Sequence, residues 1–325
     1  MPQLRKDPIV DRWVIIAPER ADRPNALLRQ ATPPDEDSCP FCPGRESMTP
    51  PALLVQGKNP WTLRVVPNRY PALRVETQMS RSGHGLFDSM AGVGAHEVVI
   101  ETAGHGSMLS DLPAEQIALV LRAWQERMLD LSRDLRLKAI FAFKNHGAAA
   151  GATLSHSHSQ LVALPFLPPA LKEELAGAEG HFKAKERCIF CDILDQELRD
   201  KERLVHETEA AVAVAPWAAR SPFETWVLPR EHASSFESAS GQQLHSIADA
   251  LRTVLRKIDV ALEKPAYNLF LHTMPLRENR NDWYHWHLEV KPVVSQHAGF
   301  EWASGCTINT TPPEEAAAFL RQTEA

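Results

Sequence analysis

The chain has no apolar run long enough to span a membrane, and its 325 residues carry no excess of positive charge: 35 Lys and Arg stand against 41 Asp and Glu. The first absence excludes a membrane-spanning helix. The second, a net charge of -6, removes any overall pull toward nucleic acid or anionic lipid. The amino terminus, "MPQLRKDPIVDRW", lacks the apolar core of a secretory signal, so a cytoplasmic location is expected. Cysteine is scarce, yet four of the five fall in two close pairs, "CPFC" (Cys39, Cys42) and "CIFC" (Cys188, Cys191), with Cys306 alone. In a reducing compartment such pairs suit a tetrahedral metal ion better than a disulfide; a redox pair or an incidental spacing are the alternatives.

From each cysteine pair the same order of elements recurs. The first copy runs "CPFC", "HEVVIETAGH", a helical stretch, "KAIFAFKNHG" and "HSHSQLVALP". The second runs "CIFC", "PFETWVLPREH", a helical stretch, "YNLFLHTMP" and "HWHLEVKP". His105 lies 51 residues before His156, and His232 lies 53 before His285, so the copies agree in length as well as order. This is the signature of a duplicated unit. Each helical stretch carries an apolar stripe: Ile117, Val120, Leu121, Trp124, Met128 and Leu131 in one, Leu244, Ile247, Leu251, Val254, Leu255 and Ile258 in the other. The short segments around them are β-branched or aromatic and bounded by Gly, Pro or Asn, as strands are. One helix per copy among such strands predicts an α+β fold, an antiparallel sheet with helices packed against it. The Pro-rich, then charged segment 165–187 separates the copies and gives two expected domains, 1–170 and 171–325.

In a strand alternate side chains share a face, so "HSHSQ" would point His156, His158 and Gln160 one way and Ser157 and Ser159 the other. Burying such polar groups without partners costs about 1–3 kcal/mol each, so the pattern implies a site or a metal. Counting ligands gives Cys39, Cys42, His105 and His156 in the first copy and Cys188, Cys191, His232 and His285 in the second. Two Cys and two His make a closed tetrahedral zinc site with no open position, a structural ion rather than a catalytic one. His158 is then free of metal. A neutral imidazole on a rigid strand can attack an electrophile, and phosphorus is the natural one if the small residues of "NHGAAAGA" bring backbone N–H groups against phosphate oxygens.

These residues resemble the galactose-1-phosphate uridylyltransferase family of the histidine-triad superfamily. The resemblance runs through "DRWVIIAPERADRP", "CPFC", "PNRYPAL", "ETAGHGSMLSDL", "KNHGAAAGA", "HSHSQ", "APWAARSPFETWVLP", "HWHLEV" and "GFEWASG", in that order. It implies two histidine-triad-like halves on a shared antiparallel sheet, a homodimer, and two structural zinc ions on the ligand sets above. It implies that His158 takes a nucleoside monophosphate from a nucleotide sugar, UDP-glucose or ADP-glucose, and passes it to a phosphate or sugar 1-phosphate. Gln160 would hydrogen-bond the transferred phosphoryl group, Arg20, Arg23, Asn145 and Thr153 would bind phosphate, and Asn68 would contact the nucleotide. Uridylyl transfer to a hexose 1-phosphate is the first reading. Ser157 between the histidines, where the galactose enzymes have Pro, and "ASGCTIN" in place of an "ETQR"-like segment resemble the branch that includes ADP-glucose phosphorylase, which is the alternative. In the second copy His287 stands at the nucleophile's place with Glu289 for the amide, and a carboxylate there would repel phosphate, so that half is expected to be structural, with His287 a core residue, a ligand in place of His285, or a second active histidine.

Overall fold

Residues 2–6, 13–16, 36–278, 282–296 and 298–324 are described by a computed structural model. Strands β1 (Gln3–Lys6) and β2 (Trp13–Ile16) open the chain, followed by β3 (Leu54–Gly57), β4 (Trp61–Pro67), β5 (Arg81–His84), β6 (Phe87–Ala91) and β7 (Ala95–Ile100). Helix α1 (Ala114–Leu131), β8 (Ala139–His146) and β9 (His158–Leu164) complete the first copy. Two helices, α2 (Pro169–Lys185) and α3 (Ile189–Asp200), lead into β10 (Leu204–Glu207), β11 (Ala211–Val214) and β12 (Thr225–Pro229). The chain ends with α4 (Gly241–Ala261), β13 (Tyr267–His272), β14 (His287–Pro292), α5 (Gly299–Ser304) and α6 (Pro313–Gln322).

Ten strands form one antiparallel sheet in the order β10-β11-β12-β14-β13-β8-β9-β7-β4-β3, and a small sheet, β2-β1-β6-β5, stands beside it. Reading outward from the central β13–β8 pair, β14-β12-β11 on one side mirrors β9-β7-β4 on the other. The duplication seen in the sequence is thus a near two-fold arrangement in one continuous sheet, the α+β architecture expected.

Alternation along the strands divides the side chains between two faces. Val99, Leu161 and Ala142 join the main core with the buried stripes of α1 and α4, both of which match the periodicity in the sequence. Val98 and Ile100 face the other way, against Cys39, Phe41 and Cys42. In the second half that opposite face is covered by α3, whose Phe190 and Leu194 pack on Val212, Val214 and Leu228. Helix α2 occupies most of the stretch read from sequence as a boundary; Pro168 and Pro169 fit its first turn, where no amide donor is required. Among the described residues no helix is long and apolar enough to cross a membrane.

Candidate active site and metal centres

Strand β9 starts at His158 rather than at His156, because His156 is drawn out to the cysteine loop. Its Nδ1 lies 3.7 Å from Cys39 Sγ and 3.6 Å from Cys42 Sγ, and His105 Nδ1 lies 3.3 Å from Cys42 Sγ. Bonds of about 2.0–2.3 Å to a tetrahedral zinc put donor atoms roughly 3.5 Å apart, so this soft sulfur and imidazole set fits such an ion. His156 Nε2–H donates to the Thr102 carbonyl at 2.8 Å, which leaves Nδ1 as the ligand atom. In the second half Cys191 Sγ lies 3.3 Å from His232 Nδ1 and 3.6 Å from His285 Nδ1, with Cys188 completing the group. All eight residues predicted as ligands are therefore gathered into two groups able to hold a metal ion.

Two residues past His156, His158 is 9% exposed and lines a cavity of about 550 Å³. Its Nδ1 lies 2.8 Å from the His156 carbonyl, and a carbonyl only accepts, so Nδ1 carries the proton and Nε2 keeps its lone pair. Burial, assisted by the Lys144 charge, pushes the imidazole down to about 4, so it is neutral at physiological pH. The Phe41 ring, between the two cysteines, packs edge-on against it at 5.4 Å. Gln160, Asn68, Asn145 and Thr153 line the same cavity. Arg20 and Arg23 lie outside the described residues. The remaining sequence-predicted positions thus converge on three places, the two groups able to hold a metal and the cavity beside the first of them.

The approach loop is shaped by glycine. Gly147 has φ +79° and would bring a Cβ within 2.8 Å of Ala266 Cβ; Gly151 has φ +89°. Asn268, which pairs with Asn145 across β13 and β8, donates from its amide nitrogen to Asn145 Oδ1 and to the Ala150 carbonyl, both at 3.0 Å. It ties the loop to the sheet, and no sequence signal beyond "YNLFLH" marked it.

Ser157 and Ser159 point to the helix side, as alternation requires. Ser159 Oγ accepts from Trp124 Nε1–H at 2.9 Å, while Ser157 Oγ donates to Glu101 Oε2 at 2.6 Å. Lys144 Nζ donates to Glu101 Oε2 (2.6 Å), Ser157 Oγ (3.0 Å) and the His158 carbonyl (3.1 Å). Burial alone would raise the Glu101 carboxyl, but the Lys144 charge and the hydrogen bonds from Lys144 and Ser157 hold it below the usual range. This buried ion pair under the His158 backbone was not anticipated.

His287 repeats the device of His158: its Nδ1–H donates to the His285 carbonyl at 3.1 Å. There the likeness stops. His287 is 1% exposed, enclosed by Phe190 (5.2 Å), Trp226 (4.9 Å) and the stacked His272 ring (4.5 Å). Glu174 Oε2 lies 2.9 Å from His272 Nδ1, and Glu289 is held by Arg220 and by His272 Nε2 at 3.4 Å. Burial works against a charge on His272, but Glu174 and Glu289 outweigh it and raise the ring to about 9. Glu174, His272 and His287 form a third group whose donor atoms lie within 4.8 Å of one another. Sequence reasoning missed Glu174 and His272.

The profile of galactose-1-phosphate uridyl transferase matches this chain twice, its N-terminal domain over residues 1–168 and its C-terminal domain over 143–308. The chain belongs to the galactose-1-phosphate uridyl transferase family. Within it, the chain is 38% identical to an ADP-glucose phosphorylase of Arabidopsis thaliana, covering 99% of this chain and 93% of the relative. It is 30% identical to a galactose-1-phosphate uridylyltransferase of Thermotoga maritima, covering 100% and 99%. A crystal structure of an Arabidopsis thaliana ADP-glucose phosphorylase with bound ADP-glucose superposes with a TM-score of 0.80 at 36% identity, covering all of both chains. A uridylyltransferase structure gives 0.84 at 27% identity over 99% of this chain and 98% of that one. The relatives are thus nucleotidyltransferases.

Proposed function

We propose that this family member transfers a nucleoside monophosphate from a nucleotide sugar to a phosphate acceptor through a covalent adduct on His158. The observation that carries the reading is the Nδ1–H bond to the His156 carbonyl, which leaves a neutral Nε2 lone pair beside a cavity lined by Gln160. Nε2 attacks the α-phosphorus, a P–N bond forms, and the P–O bond to the sugar 1-phosphate breaks with its electron pair. That leaving group is already an anion, so a strong general acid is dispensable and an amide serves where a hydrolase would use a third histidine. An acceptor phosphate oxygen then attacks phosphorus, the P–N bond breaks and the neutral imidazole returns. Asn68, Asn145 and Thr153 would hold nucleotide and phosphate, with Arg20 and Arg23 adding forked hydrogen bonds.

The two Cys₂His₂ groups would each hold a structural zinc ion, and thiols kept reduced for that role agree with a cytoplasmic setting. Residues 1–170 form the catalytic half in this reading and 171–325 the supporting half. A homodimer belongs to this reading through the family likeness.

Two donors compete. The family's name and the Thermotoga relative support uridylyl transfer from UDP-glucose to a hexose 1-phosphate in galactose metabolism. The 38% identity to the Arabidopsis relative, together with Ser157, supports adenylyl transfer from ADP-glucose to inorganic phosphate. Intact-protein mass spectrometry after incubation with each donor, without acceptor, decides: a UMP adduct gives the first and an AMP adduct the second, and His158→Ala should form neither. An adduct that persists in His158→Ala would overturn the mechanism.

A further inference from the structure

His96, on β7, is buried and has no role in the scheme above. The backbone N–H of Ala72 points at its Nδ1 from 3.1 Å. An N–H can only donate, so Nδ1 is the acceptor nitrogen and the ring proton of a neutral imidazole sits on Nε2. Gln160 Oε1 lies 2.8 Å from that Nε2 and accepts the proton. With its oxygen held, Gln160 has only its NH₂ group left to offer the cavity, and among the described residues no protein acceptor takes it. Asn68 is held separately, by backbone. Its Oδ1 accepts from the Tyr70 backbone N–H at 2.9 Å, and its amide nitrogen, 3.1 Å from the protonated Nε2, finds no acceptor on that ring.

We propose that His96 is a positioning residue that fixes the polarity of the phosphoryl subsite. One ring, oriented by one backbone amide, turns the Gln160 amide so that it presents N–H to the cavity, while the Tyr70 backbone N–H holds the neighbouring Asn68 oxygen. The anionic oxygens of a transferring nucleotidyl group accept hydrogen bonds and donate none, so a subsite of fixed donors fits them and one of free amides must first be reoriented. Without His96 the Gln160 side chain can turn its oxygen toward the phosphoryl group, a repulsive arrangement. The inference rests on His158 as the attacking group.

Two readouts test it. Long-range ¹H–¹⁵N spectra of the unmutated protein, with His96 assigned by its loss in His96→Gln, should show the Nε2–H tautomer; the Nδ1–H tautomer overturns the proposal. Single-turnover adduct formation is then compared among His96→Phe, His96→Gln, Gln160→Ala and the His96→Phe/Gln160→Ala double variant. His96→Phe should slow the step about 10–100-fold, the usual cost of losing an orienting hydrogen bond, while nucleotide-sugar affinity moves less than about threefold. His96→Gln, whose NH₂ reaches the same place, should recover to within about fivefold of the unmutated rate. The double variant should be no slower than Gln160→Ala, since the two residues act as one. Additive losses, or a Gln variant as slow as the Phe variant, overturn the proposal. An unmutated chain that forms no adduct counts against the transfer reading alone, and the tautomer then decides the role of His96.

Discussion

Lys144 sits almost fully buried behind the strand that carries His158, and a buried ammonium is tolerable only while its partners are complete. Lys144→Met leaves the Glu101 carboxylate buried and unpaired, and should cost about 3–5 kcal/mol in chemical denaturation. The Glu101→Leu/Lys144→Met double variant should recover much of that loss, since neither charge then needs a partner. A second consequence concerns pH. His146 and His158 are both pushed down to about 4 when folded, chiefly by burial. The unfolded chain binds those protons near 6.5, so it holds more protons than the folded chain in between. Their contribution to stability is complete above about pH 6.5 and is lost as pH falls toward 4. Urea midpoints should therefore drop between pH 7 and 5, and His158→Gln should flatten the drop. Adduct formation should show no His158 titration between pH 6 and 8. Alternation singled out the face that carries His158 and Gln160, the ligand count left His158 free of metal, and the family resemblance supplied their roles. Lys144 was not, because a lysine in a strand reads as solvent-facing until tertiary packing shows what lies behind it.

The cysteine loops hold short elements to the sheet, and the two copies do so with different results. "CPFC" stays non-helical, so Phe41 leans on His158 while the cavity stays open; "CIFC" runs into α3, and Phe190 closes over His287. Stripping metal, or Cys39→Ser, should lower the melting temperature by more than about 4 °C and weaken nucleotide-sugar binding at least about tenfold, because Phe41 and Pro40 line the cavity. Cys188→Ser should lower the melting temperature with little change in that binding. Elemental analysis of the intact protein checks the metal content at both groups. The strands and the two core helices were readable because each presents a strong period to one face. Helix α2 was not: only Leu171 and Ala178 are buried along it, too weak a stripe to distinguish from a polar linker. Glu174 rides on that helix, so the third cluster stayed hidden with it.

At the scale of the molecule the halves are distinct in sequence but not in packing. One core cluster takes in Leu121 and Trp124 of α1 with Leu251 and Leu255 of α4, and β8 hydrogen-bonds β13 across the seam. Residues 1–170 expressed alone would expose both that helix face and the β8 edge, and should be recovered as aggregate, whereas co-expression with 171–325 should restore soluble protein and adduct formation. Soluble, monomeric 1–170 with a cooperative melt would refute this. The order of the halves was legible from their repeat, but their fusion edge to edge depends on which strands lie outermost, which local pattern does not encode. That fusion leaves the large sheet with two outer strands, β3 and β10, four residues each and each irregular in register against its neighbour. Arg321 on α6 donates to the Leu204 carbonyl on β10. A sheet this wide offers another copy almost no straight backbone to add to, so self-assembly through strands is discouraged and the outer surfaces stay available for association through side chains.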